Sequence, residues 1–154
     1  MMIDITRLRA SDFDAVTSDG AWRAGVNLWL TSWHSVPAGS MPDTDSVLAK
    51  GAGLGRDLVT WAEVKTEALR GWVRCSDGRL YHPTVCEIAL ESWIEKLHQR
   101  RSSGKGNSAR WGAAFDENSV DAQIDAAAQM LSAIAPKSKS LSKLIRRQSR
   151  KEGK

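Results

Sequence analysis

The fold is decided by the stretch RCSDGRLYHPTVC, which runs from Arg74 to Cys86. It places the pair Asp77-Gly78 between two segments rich in apolar residues. Asp-Gly in this setting is the strongest short-range signal of a β-hairpin, because a type I′ turn needs two consecutive residues with positive φ. The sequence therefore predicts a hairpin whose turn is centred on these two residues.

A turn at this position also sets the register of the two strands. It pairs Cys75 with Leu80, Arg74 with Tyr81, and Val73 with His82. Because alternate residues of a strand share a face, we expect one face to carry Val73, Cys75, Leu80 and His82. We expect the other face to carry Trp72, Arg74 and Tyr81.

The chain after the hairpin is predicted to be mostly helical. Pro83 suits the first turn of a helix, and the apolar spacing carries that helix to about Arg101. The glycine- and serine-rich residues 102–116 are typical of a linker. A further helix is expected from about Glu117 to Ile134, and a basic tail follows it.

Three helices are predicted before the hairpin. Ser18 and Asp19 offer N-caps for the first long one, and its apolar stripe is Trp22, Val26, Trp29 and Trp33. A short second helix ends at a glycine-rich turn that contains Gly51, Gly53 and Gly55. The third helix spans Arg56 to Arg70, and its expected buried side is Leu58, Trp61, Ala62, Ala68 and Leu69.

This order of elements indicates a mainly α fold with a small β-hairpin. Two helices joined by a glycine-rich turn suggest a helix-turn-helix, and a hairpin directly after it suggests a winged helix. We therefore expect a winged-helix body over residues 1–101, a linker over 102–116, and a C-terminal helix with its basic tail over 117–154.

The composition is that of one domain with an appendage. The chain has 154 residues, and no apolar run reaches the roughly 18 residues of a membrane span. The polar start MMIDITRLRASDFD does not look like a secretory signal, so we expect a cytoplasmic protein.

Seven tryptophans are expected mainly as bulky core residues, with base-stacking platforms as the minor alternative.

Charge is unevenly spread along the chain. Residues 1–95 carry a net charge of −4, residues 96–110 carry +5, residues 111–136 carry −4, and residues 137–154 carry +7. The body is thus mildly acidic and two short segments hold the basic character. This pattern suggests an interaction segment for a polyanion.

A metal site is the first alternative for the hairpin region. Its weak candidate ligands are Cys75, His82 and Cys86, but their spacing has none of the close cysteine pairs typical of structural zinc sites. Because free cysteine is among the most buried residue types, we expect both cysteines to be buried thiols and expect no metal or other cofactor.

Catalytic motifs are missing from the sequence. It contains no G-x-S-x-G, no H-E-x-x-H and no phosphate-binding loop, since GAGLGRD lacks the following lysine and hydroxyl residue. We therefore expect a protein that is not an enzyme.

Nucleic acid is the expected partner of the basic residues. The third helix is a weak reader of the major groove, because Glu63 and Glu67 lie in its expected exposed stripe, Arg56, Thr60, Glu63, Glu67 and Arg70. Candidate phosphate-binding residues lie in the wing and in the basic segments: Arg74, Arg79, Arg100, Arg101, Lys105, Arg110, Lys137, Lys139, Lys143, Arg146, Arg147, Arg150 and Lys151.

An alternative for the basic tail is that it is a solvated end without a partner. A membrane surface is not expected, because the last amphipathic segment is short and has no aromatic anchor.

The helix at 117–134 offers a candidate partner-binding seam. Its apolar residues Val120, Ile124, Ala127, Leu131 and Ile134 recur at heptad-like spacing. A helix this short needs a partner to be stable. The seam therefore predicts self-association, a foreign partner, or packing onto the body.

Four segments in order carry a resemblance to a known family. They are LRASDFD, AWRAGVNLWLTSWHSVPAGSMPDTD, LAKGAG and LRGWVRCSDGRLYHPTVCEIALESW. Together they resemble the YdaU-like domain of phages and prophages over roughly residues 3–110. The resemblance implies a helical domain ending in a DGRLYHP-type hairpin and a long charged helix, and a role near phage replication initiation and helicase loading.

Two functional hypotheses follow from the sequence. The first is an accessory protein of phage DNA replication initiation that binds nucleic acid, a replication protein, or both. The second is a non-enzymatic protein-interaction module, such as a phage factor that binds and inhibits a host complex without binding DNA.

Overall fold

A computed structural model describes residues 3–112 and 114–144 of the chain. It divides into two compact units, unit 1 (Met1–Ala89) and unit 2 (Leu90–Lys154). The chain is mainly helical and has a small antiparallel sheet, which confirms the predicted class of mainly α with a β-hairpin.

The elements follow one another in this order: α1 (Ile5–Arg9), α2 (Asp12–Val16), α3 (Asp19–Trp33), β1 (Ser40–Pro42), α4 (Asp45–Gly51), α5 (Leu58–Ala68), β2 (Val73–Arg74), β3 (Arg79–Tyr81), α6 (Pro83–Trp111) and α7 (Glu117–Ile134). Residues 139–144 are also helical. No helix among residues 3–112 and 114–144 is long and apolar enough to cross a membrane.

The sheet of unit 1 has three strands in the order β1-β3-β2, all antiparallel. The central strand β3 pairs with the predicted hairpin partner β2 on one side. On its other side it pairs with β1, in the register Ser40 to Tyr81 and Pro42 to Arg79. The sequence did not predict β1, because three residues without alternation acquire strand geometry only through this pairing.

The hairpin register differs by one residue from the predicted one. Val73 lies opposite Tyr81, and the Cys75 N–H donates to the Arg79 carbonyl oxygen at 2.9 Å. In the turn only Gly78 has a positive φ, +74°. A type I′ turn needs two such residues, so the loop is longer than the predicted two-residue turn by one residue and the strand pairing shifts.

Asp77 explains why the turn takes this form. Its carboxylate accepts from the Arg79 N–H at 3.0 Å and from the Tyr81 hydroxyl at 2.7 Å. These bonds occupy the side chain while the backbone of Asp77 keeps a negative φ. Cys75 lies at the start of this turn, where its carbonyl oxygen accepts from the Gly78 N–H at 3.1 Å, and its side chain is exposed. The expectation that it is a buried thiol is wrong.

The core of unit 1 forms between three helices and the sheet. α3 contributes Leu28, α4 contributes Leu48 and α5 contributes Trp61, all at most 1% exposed. The Trp61 indole N–H donates to the Asp45 carboxylate at 2.9 Å, so its polar atom is satisfied at the edge of the core. Met41 and Leu80 of the sheet complete this core.

The tryptophans divide between core and surface. Trp29 and Trp61 are buried, as expected of bulky core residues. In contrast, Trp93 is 46% exposed and Trp111 is 76% exposed. The two tryptophans of unit 2 are therefore not core residues.

Unit 2 has its own core, which encloses the predicted seam. Val120, Ile124, Ala127 and Leu131 of α7 are buried against Ile94, Leu97 and Leu144. Four of the five seam residues are thus covered by the chain itself, and only Ile134 is exposed, at 42%. Of the three alternatives for the seam, the structure shows packing within the same chain. The buried seam residues are therefore not a free surface for a partner.

The segment expected as a linker is helical up to Trp111. Glycine and serine disfavour a helix interior, and contacts with the segment after α6 offset this. A side chain at Gly104 would overlap the ring of Phe115. The glycine therefore lets Phe115 pack directly on the helix backbone, and the linker prediction for residues 102–111 is corrected.

Candidate nucleic-acid interface

The two wing arginines are engaged within unit 1. Arg74 forms an ion pair with Asp43, although its side chain remains 72% exposed. The Arg79 Nε–H donates to the Ser40 hydroxyl at 3.0 Å, so Arg79 links the central strand β3 to the outer strand β1. Arg74 can still reach a phosphate by exchanging partners, whereas Arg79 has a structural role.

The exposed side of α5 is less charged than the sequence suggested. The Glu67 carboxylate accepts from both the Ser18 N–H and the Ser18 hydroxyl at 2.8 Å. These hydrogen bonds lower the pKa of Glu67 and hold it at the N-terminus of α3. Only Glu63 of the two glutamates faces outward.

The buried side of α5 is also narrower than predicted. Trp61 and Ala68 are buried, but Leu58 is 48% exposed and Ala62 lies on the surface. Val59 is 75% exposed. The outward side of α5 is therefore partly apolar.

Two of the candidate cations hold unit 2 together. Arg101 pairs with Asp121 at 2.8 Å and also with Glu117, and its side chain is only 19% exposed. Lys105 pairs with the same Glu117 at 2.6 Å, and this bond contributes most to lowering the pKa of Glu117. Both cations connect α6 to the start of α7, so carboxylates engage their charges within unit 2. Their role as phosphate-binding residues stays a prediction.

The remaining described candidates are exposed. Among residues 3–112 and 114–144 they form no ion pair, and they are Arg100, Arg110, Lys137, Lys139 and Lys143. Lys96 of α6, in the same basic segment, is likewise exposed. Arg146, Arg147, Arg150 and Lys151 lie outside the described residues.

Trp93 and Trp111 were missing from the predicted site. Both are exposed and lie on α6 beside the unpaired cations. The signal in the sequence is their separation of 18 residues, which at 3.6 residues per turn is five whole turns. Two tryptophans at that separation project from the same side of a helix.

The metal candidates serve other purposes. Cys75 is exposed and Cys86 is buried beside Gly39, and burial raises the pKa of the Cys86 thiol. In the part of the chain that the structure describes, no three His, Cys, Asp or Glu side chains converge in a way that could hold a metal ion. The Cys75, His82 and Cys86 set therefore has no supporting geometry.

His82 is a buried helix cap between two indole rings. Its ring centroid lies 5.0 Å from that of Trp29 and 5.4 Å from that of Trp72. Its Nδ1 accepts from the Val85 N–H at 3.4 Å, in the first turn of α6. Burial, with a smaller contribution from nearby Arg7, lowers the pKa of His82 to about 4, so the ring is neutral at pH 7.

His82 should make the protein less stable in mild acid. The unfolded histidine has a pKa near about 6.5, so the unfolded state binds a proton first as the pH falls. The free energy of unfolding is then expected to drop by about 2 kcal/mol from pH 7 to pH 5. Urea unfolding followed by circular dichroism at both pH values measures this drop.

The matched variant for this test is His82→Asn. Asparagine keeps an acceptor at the N-cap and does not titrate, so the drop between pH 7 and pH 5 should shrink by most of its size. An unchanged drop in the variant would assign the pH dependence to other groups.

Comparison with family models, with curated proteins and with solved structures finds no match to this chain. The resemblance to the YdaU-like domain consequently stays a prediction from the quoted segments.

Proposed function

We propose that unit 1 is a winged-helix domain. The order α3-β1-α4-α5-β2-β3 and the antiparallel sheet β1-β3-β2 support this assignment. α4 and α5 would be the helix-turn-helix, joined by a turn in which Gly53 and Gly55 have positive φ. The β2-β3 hairpin would be the wing.

We propose further that the protein is a cytoplasmic, non-enzymatic accessory factor of phage or prophage DNA replication initiation that binds DNA. One observation carries the DNA-binding part. Among the described residues of unit 2, the exposed cations Lys96, Arg100, Arg110, Lys137, Lys139 and Lys143 form no ion pair, and no Asp or Glu occurs from residue 96 to residue 115. Unpaired surface cations without neighbouring carboxylates attract phosphates by counterion release. The role in replication rests on the family resemblance.

The helix expected to read DNA in such a fold supports this less well. The outward side of α5 offers Val59, Ala62, Glu63 and Thr66, and Arg70 follows the end of the helix. This set is neither basic nor rich in groups that read bases. Contact with the phosphate backbone through unit 2 is therefore favoured over sequence readout through α5.

Salt dependence tests the DNA-binding proposal. We expect the full chain to bind a labelled duplex or single strand, with an affinity that falls steeply as salt rises. Replacing Lys137, Lys139 and Lys143 together by Ala should weaken binding and reduce the slope of log K against log salt by about 2 to 3. Fluorescence anisotropy at four salt concentrations gives both quantities.

A control distinguishes contact from net charge. Lys50 and Arg56 are exposed cations of unit 1, so replacing both by Ala removes two positive charges, against three in the lysine variant, without touching the proposed site. If both variants change the slope to the same extent, or if the wild type binds no DNA, the proposal fails.

A second function is favoured by one observation. Leu58 and Val59 are 48% and 75% exposed at the start of α5. Clustered exposed apolar side chains mark protein-binding surfaces, which fits a protein-interaction module that inhibits a host complex. A wild-type chain that binds no DNA would favour this alternative.

A further inference from the structure

The outer side of α6 in unit 2 combines aromatic and basic side chains. Trp93 and Trp111 mark its two ends and are 46% and 76% exposed. Lys96, Arg100 and Arg110 lie between them and are exposed as well. Since the two indoles are separated by five helical turns, they project in the same direction about 27 Å apart along the helix.

Helical spacing places Lys96 and Arg100 on the tryptophan side of the helix. Lys96 lies three residues after Trp93, and Arg100 lies four residues after Lys96. The three side chains are therefore neighbours on one face. Arg110 immediately precedes Trp111, so its side chain is turned by about 100° from that indole around the helix. It lies 14 residues after Lys96, which is close to four whole turns, so it borders the stripe on the Lys96 side. We call this set, Trp93, Lys96, Arg100, Arg110 and Trp111, the outer stripe.

Between the first and the last cation of the outer stripe, α6 has no acidic residue. Acidic residues are absent from residue 96 to residue 115. The nearest acids of α7, Glu117 and Asp121, are held by Arg101 and Lys105. Those two cations extend from α6 toward α7. The one acidic residue of α6 within the span of the outer stripe is Glu95, which is exposed and lies two residues after Trp93, a spacing that does not place it on the same face.

The indoles are not core side chains of the described part of unit 2. Neither Trp93 nor Trp111 belongs to the buried core formed by Ile94, Leu97 and the side chains of α7. Exposed indoles beside unpaired cations are the combination by which proteins hold single strands, in which bases stack on aromatic rings and cations bind phosphates. A duplex keeps its bases stacked inside, so it could use the cations but not the indoles.

We propose that the outer stripe binds single-stranded DNA, with Trp93 and Trp111 stacking on bases and Lys96, Arg100 and Arg110 binding phosphates. This inference rests on the proposed DNA-binding function and adds the form of the DNA. The positive charge of the outer stripe is complementary to a polyanion. The proposed role in replication indicates that this polyanion is DNA.

The test compares a labelled 12-nucleotide oligo(dT) with a 12-base-pair duplex. Trp93→Ala and Trp111→Ala should each weaken binding of the single strand by about tenfold, in line with the loss of one base stack. The affinity for the duplex and the salt slope for the single strand should stay unchanged, because no phosphate contact is lost. The matched control is Met130→Ala, which removes a side chain of unit 2 that is 58% exposed.

Conservative variants separate stacking from general apolar contact. Trp111→Tyr keeps a stacking ring and should retain most of the affinity for oligo(dT), whereas Trp111→Leu keeps apolar area and should lose it. Circular dichroism confirms that each variant is folded. Equal affinity of the leucine and tyrosine variants would overturn the stacking role.

Other results would also contradict the inference. Wild-type binding of both DNA forms, with the tryptophan variants equal to the Met130 control, would overturn the outer stripe and leave the proposed function standing. Absence of any DNA binding would overturn both. Tighter binding of oligo(rU) than of oligo(dT) would replace DNA by RNA as the occupant.

Discussion

Leu131→Asp is expected to unfold unit 2. Leu131 is 0% exposed and lies among the buried side chains of α6 and α7. Truncation of such a leucine to Ala alone costs about 2 to 5 kcal/mol, and a carboxylate in its place adds the cost of burying an unpaired charge. Because a domain is stable by only about 5 to 15 kcal/mol, the variant should lose the helical circular dichroism signal of unit 2 at room temperature.

Met130→Asp is the matched control for this prediction. Met130 is the preceding residue of α7 but is 58% exposed, and surface substitutions usually change stability by less than about 0.5 kcal/mol. Size-exclusion chromatography with light scattering distinguishes the competing explanation. A Leu131→Asp protein that stays fully helical and changes from dimer to monomer would show that the seam is an interface between chains.

Gly39→Ala is expected to destabilise unit 1 by about 2 to 5 kcal/mol, which combines the cost of a left-handed residue with that of overpacking. Gly39 has a φ of +79°, and an added Cβ would lie 2.6 Å from the Cys86 sulfur and 3.0 Å from the Cys86 backbone nitrogen. The Gly39 carbonyl also accepts from the His82 N–H at 2.9 Å. A shift to relieve the overlap would therefore disturb the junction between the sheet and α6.

Gly55→Ala isolates the backbone part of this effect. Gly55 has a φ of +63°, but nothing lies within 4 Å of an added Cβ. Urea unfolding of both variants should show a smaller loss, about 1 to 2 kcal/mol, for Gly55→Ala. Equal losses would mean that the contact with Cys86 relaxes without cost.

Features that depend on local chemistry could be predicted from the sequence. The start of α3 at Asp19, the start of α6 at Pro83 and the existence of a hairpin around Gly78 all agree with the structure. Caps, prolines and turn glycines act over a few residues, so their effects are visible without knowledge of the fold. The class of mainly α with a hairpin followed from them.

Features decided by competition between partners could not be predicted. The hairpin register depends on the carboxylate of Asp77, which bonds Arg79 and Tyr81 and leaves Gly78 alone with positive φ. The extension of α6 depends on Phe115 packing against Gly104. The composition indicates a linker there, because composition does not show that an aromatic ring from a residue after the helix packs onto it.

The candidate site was predictable only in part for a similar reason. Counting charges locates the basic segments but does not show which cations are already paired. Arg101 and Lys105 look the same in the sequence as Arg100 and Arg110, yet only the first two pair with carboxylates of α7. The helical period assigns these sides once the helix is known to continue to Trp111.

The placement of the tryptophans gives the two units different optical signals. Trp22, Trp29, Trp33, Trp61 and Trp72 of unit 1 are buried or half-buried, whereas both tryptophans of unit 2 are exposed. An indole in water emits at longer wavelength than one in an apolar core, so the blue part of the emission spectrum reports on unit 1 and the red part on unit 2. The unmodified chain therefore carries a spectral label for each unit.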